Sequence, residues 1–151
     1  GTIYVLPTED EWYKAAYLKS DGSGYTLYAT GDSVPTAGTD ANNNGANPAP
    51  WNVGSGSVEN NGTYDMGGNV WEWGESEYSG ESRMLRGGDW NSLSTYLQSS
   101  SRVEFDPVNE LDIVGFRVAS VSAAVAAVPE PSSVGLLVIG AMGCVLRRKR
   151  G

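Results

Sequence analysis

A chain of 151 residues has room for one domain with a real core and a short appendage. It has no histidine and a single cysteine, Cys144, which excludes Ser-His-Asp and Cys-His catalysis, His-ligated zinc or iron, and any intrachain disulfide. Ahead of Val128 there are 6 basic and 17 acidic residues, a net charge of −11 that repels nucleic-acid phosphates, so no DNA or RNA partner is expected, and that bound cations would relieve.

Ile3 to Leu6 reads as a short strand leading into Pro7. Thr8 and Glu11 then form a capping box, and Trp12, Ala15, Ala16 and Leu18 give a helical stripe, predicting a helix over Glu9–Lys19. From Ser20 to Thr63 the chain is polar and rich in Gly, Asn and Thr with no clear period, as functional loops or disordered segments are; Trp51 and Val53 are the residues expected to pack there. Ala41 to Gly45 (ANNNG) is either a turn cluster or a source of oxygen ligands for a cation.

Tyr64 to Trp73 (YDMGGNVWEW) is the densest segment: Gly67 and Gly68 permit a tight backbone, and Val70, Trp71 and Trp73 supply buried bulk. Glu72 between two tryptophans needs a partner, which Arg86, Arg117, backbone amides or a metal can supply. Glu75, Glu77 and Glu81 continue an acidic run that reads as a solvated face rather than a glycosidase pair. Met84–Trp90 and Val114–Ala119 read as short strands broken by glycine, with a polar, irregular stretch from Asn91 to Asp112 between them. Arg86 and Arg117, beside apolar strand residues, are expected to pair with carboxylates inside the fold rather than grip an anionic ligand. Ser92 lacks any histidine base and is not a nucleophile.

Val118–Val128 is a small-residue linker into Pro129-Glu130-Pro131, which cannot continue a helix. Val134–Leu146 is uncharged and ends in Arg147, Arg148, Lys149 and Arg150. Thirteen residues make roughly 20 Å of helix, short of the roughly 30 Å hydrocarbon core, but Ser132, Ser133 and snorkelling arginines narrow the gap. The positive-inside rule puts the basic cluster in the cytoplasm and the acidic body outside.

The order VPEP, apolar stretch, RRKR resembles the PEP-CTERM sorting signal of Gram-negative bacteria. The resemblance implies an exosortase as processing partner, cleavage near Pro129-Glu130-Pro131, transient anchoring in the inner membrane, and delivery to the cell surface or extracellular matrix. Export needs an N-terminal signal, so a start at Gly1 leads us to expect more chain upstream.

In order, LPTEDEWYKAAY, ANNNG, YDMGGNVWEW, LRGGDW and GFRVA are similar to the formylglycine-generating enzyme (sulfatase-modifying factor) family, from about Ile3 to Ala119 and over the later part of that family's domain. The resemblance implies an irregular, loop-rich α+β fold, a C-type-lectin-like variant, over residues 1–119. A linker over 120–128 and a sorting signal with a membrane helix over 129–151 follow. Catalytic members hold copper with two cysteines after the RGG motif; the matching positions here are Ser92 and Leu97, so neither copper nor a catalytic residue is expected. The family's calcium sites fit better: carbonyls of Gly68 and Val70 with side chains of Asn69 and Glu72 at one, Asn42 and Asn44 at another. The expectation is an exported, calcium-stabilised binding module, with polysaccharide as ligand. The alternatives are an oxidoreductase completed by upstream residues and a structural surface-layer component.

Overall fold

The computed structural model describes residues 1–122, of which Thr2–Val121 form a compact unit. The sorting signal, with Pro129, Glu130, Pro131, Arg147, Arg148, Lys149, Arg150 and the C-terminal helix expected before them, lies outside the described residues. Among the described residues no helix is long and apolar enough to cross a membrane.

The architecture is α+β: β1 (Thr2–Val5), α1 (Glu9–Tyr17), a long loop region, β2 (Trp71–Ser79), β3 (Ser82–Arg86), a 3-10 turn at Ser94–Leu97, β4 (Val103–Phe105), β5 (Val114–Phe116) and β6 (Ala119–Ser122). β1 pairs with β6, and the main sheet runs β4-β3-β2-β5. β2 and β3 form an antiparallel hairpin with Glu72 opposite Arg86, while β5 joins β2 in parallel with Gly115 opposite Glu72. Glu72 is thereby placed in the interior of the sheet.

α1 starts where its capping box dictates. The Thr8 hydroxyl accepts from the Glu11 amide at 3.3 Å and the Glu11 carboxylate accepts from the Thr8 amide at 2.8 Å. The helix stops at Tyr17, two residues before the expected end. Leu18 turns extended and bridges to Tyr25. The exposed carbonyls are satisfied from afar: the Asn61 amide donates to Lys14 O (3.3 Å), Ala15 O (3.1 Å) and Leu18 O (2.7 Å). Asn61→Asp sets a carboxylate against those carbonyls and the negative helix terminus, so we expect a loss of about 1 kcal/mol in urea unfolding. An unchanged midpoint would remove Asn61 as the cap.

The core joins α1 to the sheet through Trp12, Ala16, Tyr17, Ala29, Met66 and Met84; a second cluster comprises Tyr28, Ala41 and Leu97. One expectation needs correction. Val53 does not pack: it is 90% exposed, while its neighbour Trp51 is held by an indole hydrogen bond to Asp65. The acidic run is a solvated face, as expected: Glu75 and Glu77 lie on the outer half of β2, which leaves the core after Gly74, and Glu81 lies in the turn after it.

Candidate functional site

Three loops converge behind the sheet. The 42–45 turn receives the Asn69 amide on Asn42 O (2.8 Å) and sends its own Asn44 and Gly45 amides to Ser92 O and Trp90 O (both 2.9 Å). The 66–69 turn bonds to the third loop through Gly68 N to Gly87 O (2.8 Å) and Trp90 N to Asn69 O (2.9 Å). Gly68 has φ +84°, and a Cβ there would stand 2.4 Å from Asn42 O. Only glycine permits that approach.

Three of the side chains expected to hold calcium, Asn42, Asn69 and Glu72, divide between two hydrogen-bond networks. Asn69 and Asn42 share one: Asn69 Oδ1 accepts from the Trp51 amide (2.8 Å) and Asn42 Nδ2 (3.3 Å), and Asn42 Oδ1 accepts from Asn47 (3.1 Å). Glu72 belongs to the other. Its Oε2 accepts from Arg117 Nε and Trp12 Nε1, each at 2.5 Å, and its Oε1 from Arg117 NH2 at 2.6 Å. Of the partners open to Glu72, the structure supplies Arg117, with the Trp12 indole added. Burial disfavours the charge on Arg117, but the Glu72 carboxylate outweighs it and leaves its pKa above the ordinary value. Asn44 is exposed, with its side chain outside both networks, and adopts φ 55°.

Arg86 is also internal. Its guanidinium bonds Glu9 Oε1 (2.9 and 2.5 Å) and the carbonyls of Ser99 (2.9 Å) and Ser101 (2.5 Å), so it anchors α1 and the 99–101 loop to the sheet.

Ser92 and Leu97 approach one point. A Cβ on Gly88 would lie 3.3 Å from Ser92 Cβ and 2.8 Å from Leu97 Cδ1. The Ser92 hydroxyl donates to Asp89 Oδ1 at 2.8 Å, closing a local turn, and Leu97 is 1% exposed in the second core cluster. Beside them opens a cavity of about 360 Å³ lined by Trp71, Leu85, Ser92, Tyr96, Phe105 and Leu111 among others. Tyr96 stands edge-on to Trp71 at 6.0 Å and is 46% exposed at the rim.

Sequence reasoning missed several buried polar groups. Glu59 accepts the Met66 amide (2.9 Å) and the Gly67 amide (3.2 Å) on Oε1, while its Oε2 is buried without a protein partner. Asn43 is fully buried with both side-chain atoms unpaired. Both residues sit in polar stretches that read as loop, with no periodicity to signal burial. The ANNNG motif could have drawn attention to Asn43; nothing local marks Glu59.

Residues 2–121 match the family described as sulfatase-modifying factor enzyme 1-like domain, and residues 127–150 match the PEP-CTERM protein-sorting motif. Hercynine oxygenase of Mycolicibacterium thermoresistibile is 29% identical over 138 residues, covering 76% of this chain and 31% of that protein. Inactive C-alpha-formylglycine-generating enzyme 2 of Bos taurus is 37% identical over 67 residues, covering 39% of this chain and 22% of its own length. Among solved structures, Treponema denticola variable protein 1 superposes with a TM-score of 0.64 at 26% identity, covering 76% of this chain and 46% of that one. The chain thus spans less than a third of the curated relatives it matches here and about half of that solved structure.

Proposed function

This chain belongs to the sulfatase-modifying factor enzyme 1-like domain family and carries a PEP-CTERM signal that marks it for export in a Gram-negative bacterium, and from that premise we propose that it is a non-enzymatic binding module. The observation that carries the reading is the pair Ser92 and Leu97, an alcohol tied to Asp89 and a buried aliphatic side chain. Neither gives copper the thiolate ligands that the family's catalytic members use. A related protein bearing the word inactive in its name supports the same reading. Exosortase-type processing, passage through the inner membrane and delivery to the surface or matrix complete the proposal.

The proposed ligand site is the cavity beside Ser92, and polysaccharide is the proposed ligand. Trp71, Tyr96 and Phe105 offer aromatic faces suited to the C–H face of a sugar ring, with the Ser92 and Tyr96 hydroxyls at hand. The test is titration of the full chain with exopolysaccharide from a Gram-negative producer. Tyr96→Ala should weaken binding about tenfold, since one aromatic contact contributes roughly 1.5 kcal/mol. The reading fails if the unaltered chain shows no saturable binding, or if it self-associates instead, as a surface-layer component does.

Calcium remains part of the proposal on chemical grounds, since Gly68 and Val70 carbonyls, Asn69 and Glu72 present only oxygen. Among the described residues no three Asp, Glu, Cys or His side chains converge as a metal cluster, so the ion would depend on one carboxylate. That carboxylate is held by Arg117 and Trp12, and Asn69 Oδ1 is held by Trp51 and Asn42. Calcium at this turn therefore competes with the Arg117 guanidinium for Glu72. Calorimetry should show tighter calcium binding in Arg117→Met than in the unaltered chain; equal or absent binding in both removes the ion from the proposal.

A further inference from the structure

We propose that the cavity beside Ser92 selects sugar residues bearing a methyl group, as an N-acetyl or 6-deoxy substituent, over fully hydroxylated hexoses and over uronates, an inference that rests on the carbohydrate reading of that cavity. The strand register makes one wall. Trp71 of β2 stands opposite Val114 of β5, and Leu85 of β3 opposite Val103 of β4. Paired residues share a face of the sheet, and Phe105, two residues beyond Val103, lies on the same side. This face is turned away from α1, which packs on the side that carries Met84 and Glu72. The segment from Ser92 to Ile113 closes the other side, with Tyr96 at the rim. The resulting space of about 360 Å³ suits a single sugar residue.

The walls are poor in hydrogen-bonding groups. Ser92 is largely committed: its hydroxyl donates to Asp89 Oδ1 at 2.8 Å and accepts the Asp89 amide at 3.1 Å, so it can accept one further bond but donate none. That leaves the Tyr96 phenol and the Trp71 indole N–H as the lining donors for a ligand. The backbone amides nearby are taken, Trp71 N by Ile113 O (2.8 Å) and Val114 N by Leu111 O (3.3 Å). A hydroxyl turned toward Leu85, Val103 or Val114 gives up water and gains no partner, which disfavours binding. A methyl group in the same place buries apolar surface against those side chains, which favours it.

Charge acts in the same direction. Among the described residues, none that lines the cavity is charged. Asp112, exposed between the lining residues Leu111 and Ile113, places a negative charge at its edge on a body that is already strongly acidic. A uronate carboxylate would meet repulsion there and no cation to offset it.

The test is titration of the full chain with four sugars of one stereochemical series, followed by ligand NMR: glucose, N-acetylglucosamine, 6-deoxyglucose and glucuronate. At least one of the two methyl-bearing sugars should bind about tenfold more tightly than glucose, and which one does so identifies the source of the methyl group. Glucuronate should bind more weakly than glucose, and Asp112→Asn should narrow that gap without changing glucose binding. Val103→Thr adds a hydroxyl to the wall at nearly constant volume and should shrink the methyl preference about threefold or more. If that variant does not fold, Leu111→Asn, at a position 45% exposed, serves the same purpose. Glucose binding as tightly as both methyl-bearing sugars, or a preference unmoved by the wall variant, would overturn the inference and leave the carbohydrate reading standing. So would binding of exopolysaccharide without binding of any of the four sugars. Silence of both the sugars and exopolysaccharide would overturn the reading itself, and the inference with it.

Discussion

Replacing Glu72 by alanine should lower the unfolding free energy by about 3 kcal/mol, measured by urea unfolding in chelator. The carboxylate neutralises a largely buried guanidinium and accepts the indole N–H of Trp12, which is itself fully buried at the centre of the core. Removing one partner of such a pair leaves the other charge uncompensated, which costs about 3–5 kcal/mol. The Arg117 side chain is 25% exposed, so water recovers part of that charge and the low end applies. The loss of the Trp12 acceptor adds to the effect. A double variant, Glu72→Leu with Arg117→Met, should recover much of the stability, because two apolar side chains leave no charge unpaired, only the Trp12 indole and the Tyr64 carbonyl. If Glu72→Ala is neutral in chelator and destabilising only with calcium present, the ion pair is not what Glu72 contributes.

Gly68→Ala should cost about 3 kcal/mol, by the same measurement. Two terms act at this position: alanine is strained at φ +84°, and its Cβ would stand 2.4 Å from the Asn42 carbonyl oxygen. Each contributes about 1–3 kcal/mol. The oxygen cannot yield easily, because it accepts the Asn69 amide and Asn42 is itself buried. Gly54→Ala separates the terms, since Gly54 has φ +80° but nothing within 4 Å of a Cβ. It should cost only the strain, about 1 kcal/mol. Equal losses at the two positions would show that the approach of the 42–45 and 66–69 turns is not tight.

The local rules held where the interacting residues are neighbours in the chain. The Thr8–Glu11 box and the Trp12 and Ala16 stripe define α1, because capping and helical periodicity involve residues within four of each other. Its end was less legible. Asn61, more than forty residues away, caps the last carbonyls, and no local signal announces such a donor. The acidic half of β2 shows the same limit from the other side. The exposure of Glu75 and Glu77 was legible as a charge run, but their place in a strand depends on backbone pairing with β3, which that run does not signal.

The sequence by itself determined the family, the export signal, the exclusion of histidine chemistry, and the need of Glu72 for a partner. These rest on residue identity and motif order, which are independent of how the chain is arranged in space. Tertiary structure decided which partner Glu72 takes, that Asn42 meets Asn69 while Asn44 faces water, and that Ser92 and Leu97 close on Gly88. It also decided that Glu59 is buried. Each of these joins loops distant in sequence and lacking a hydrophobic period. Their geometry is fixed by glycine turns and hydrogen bonds between loops, which leave no repeat to read along the chain.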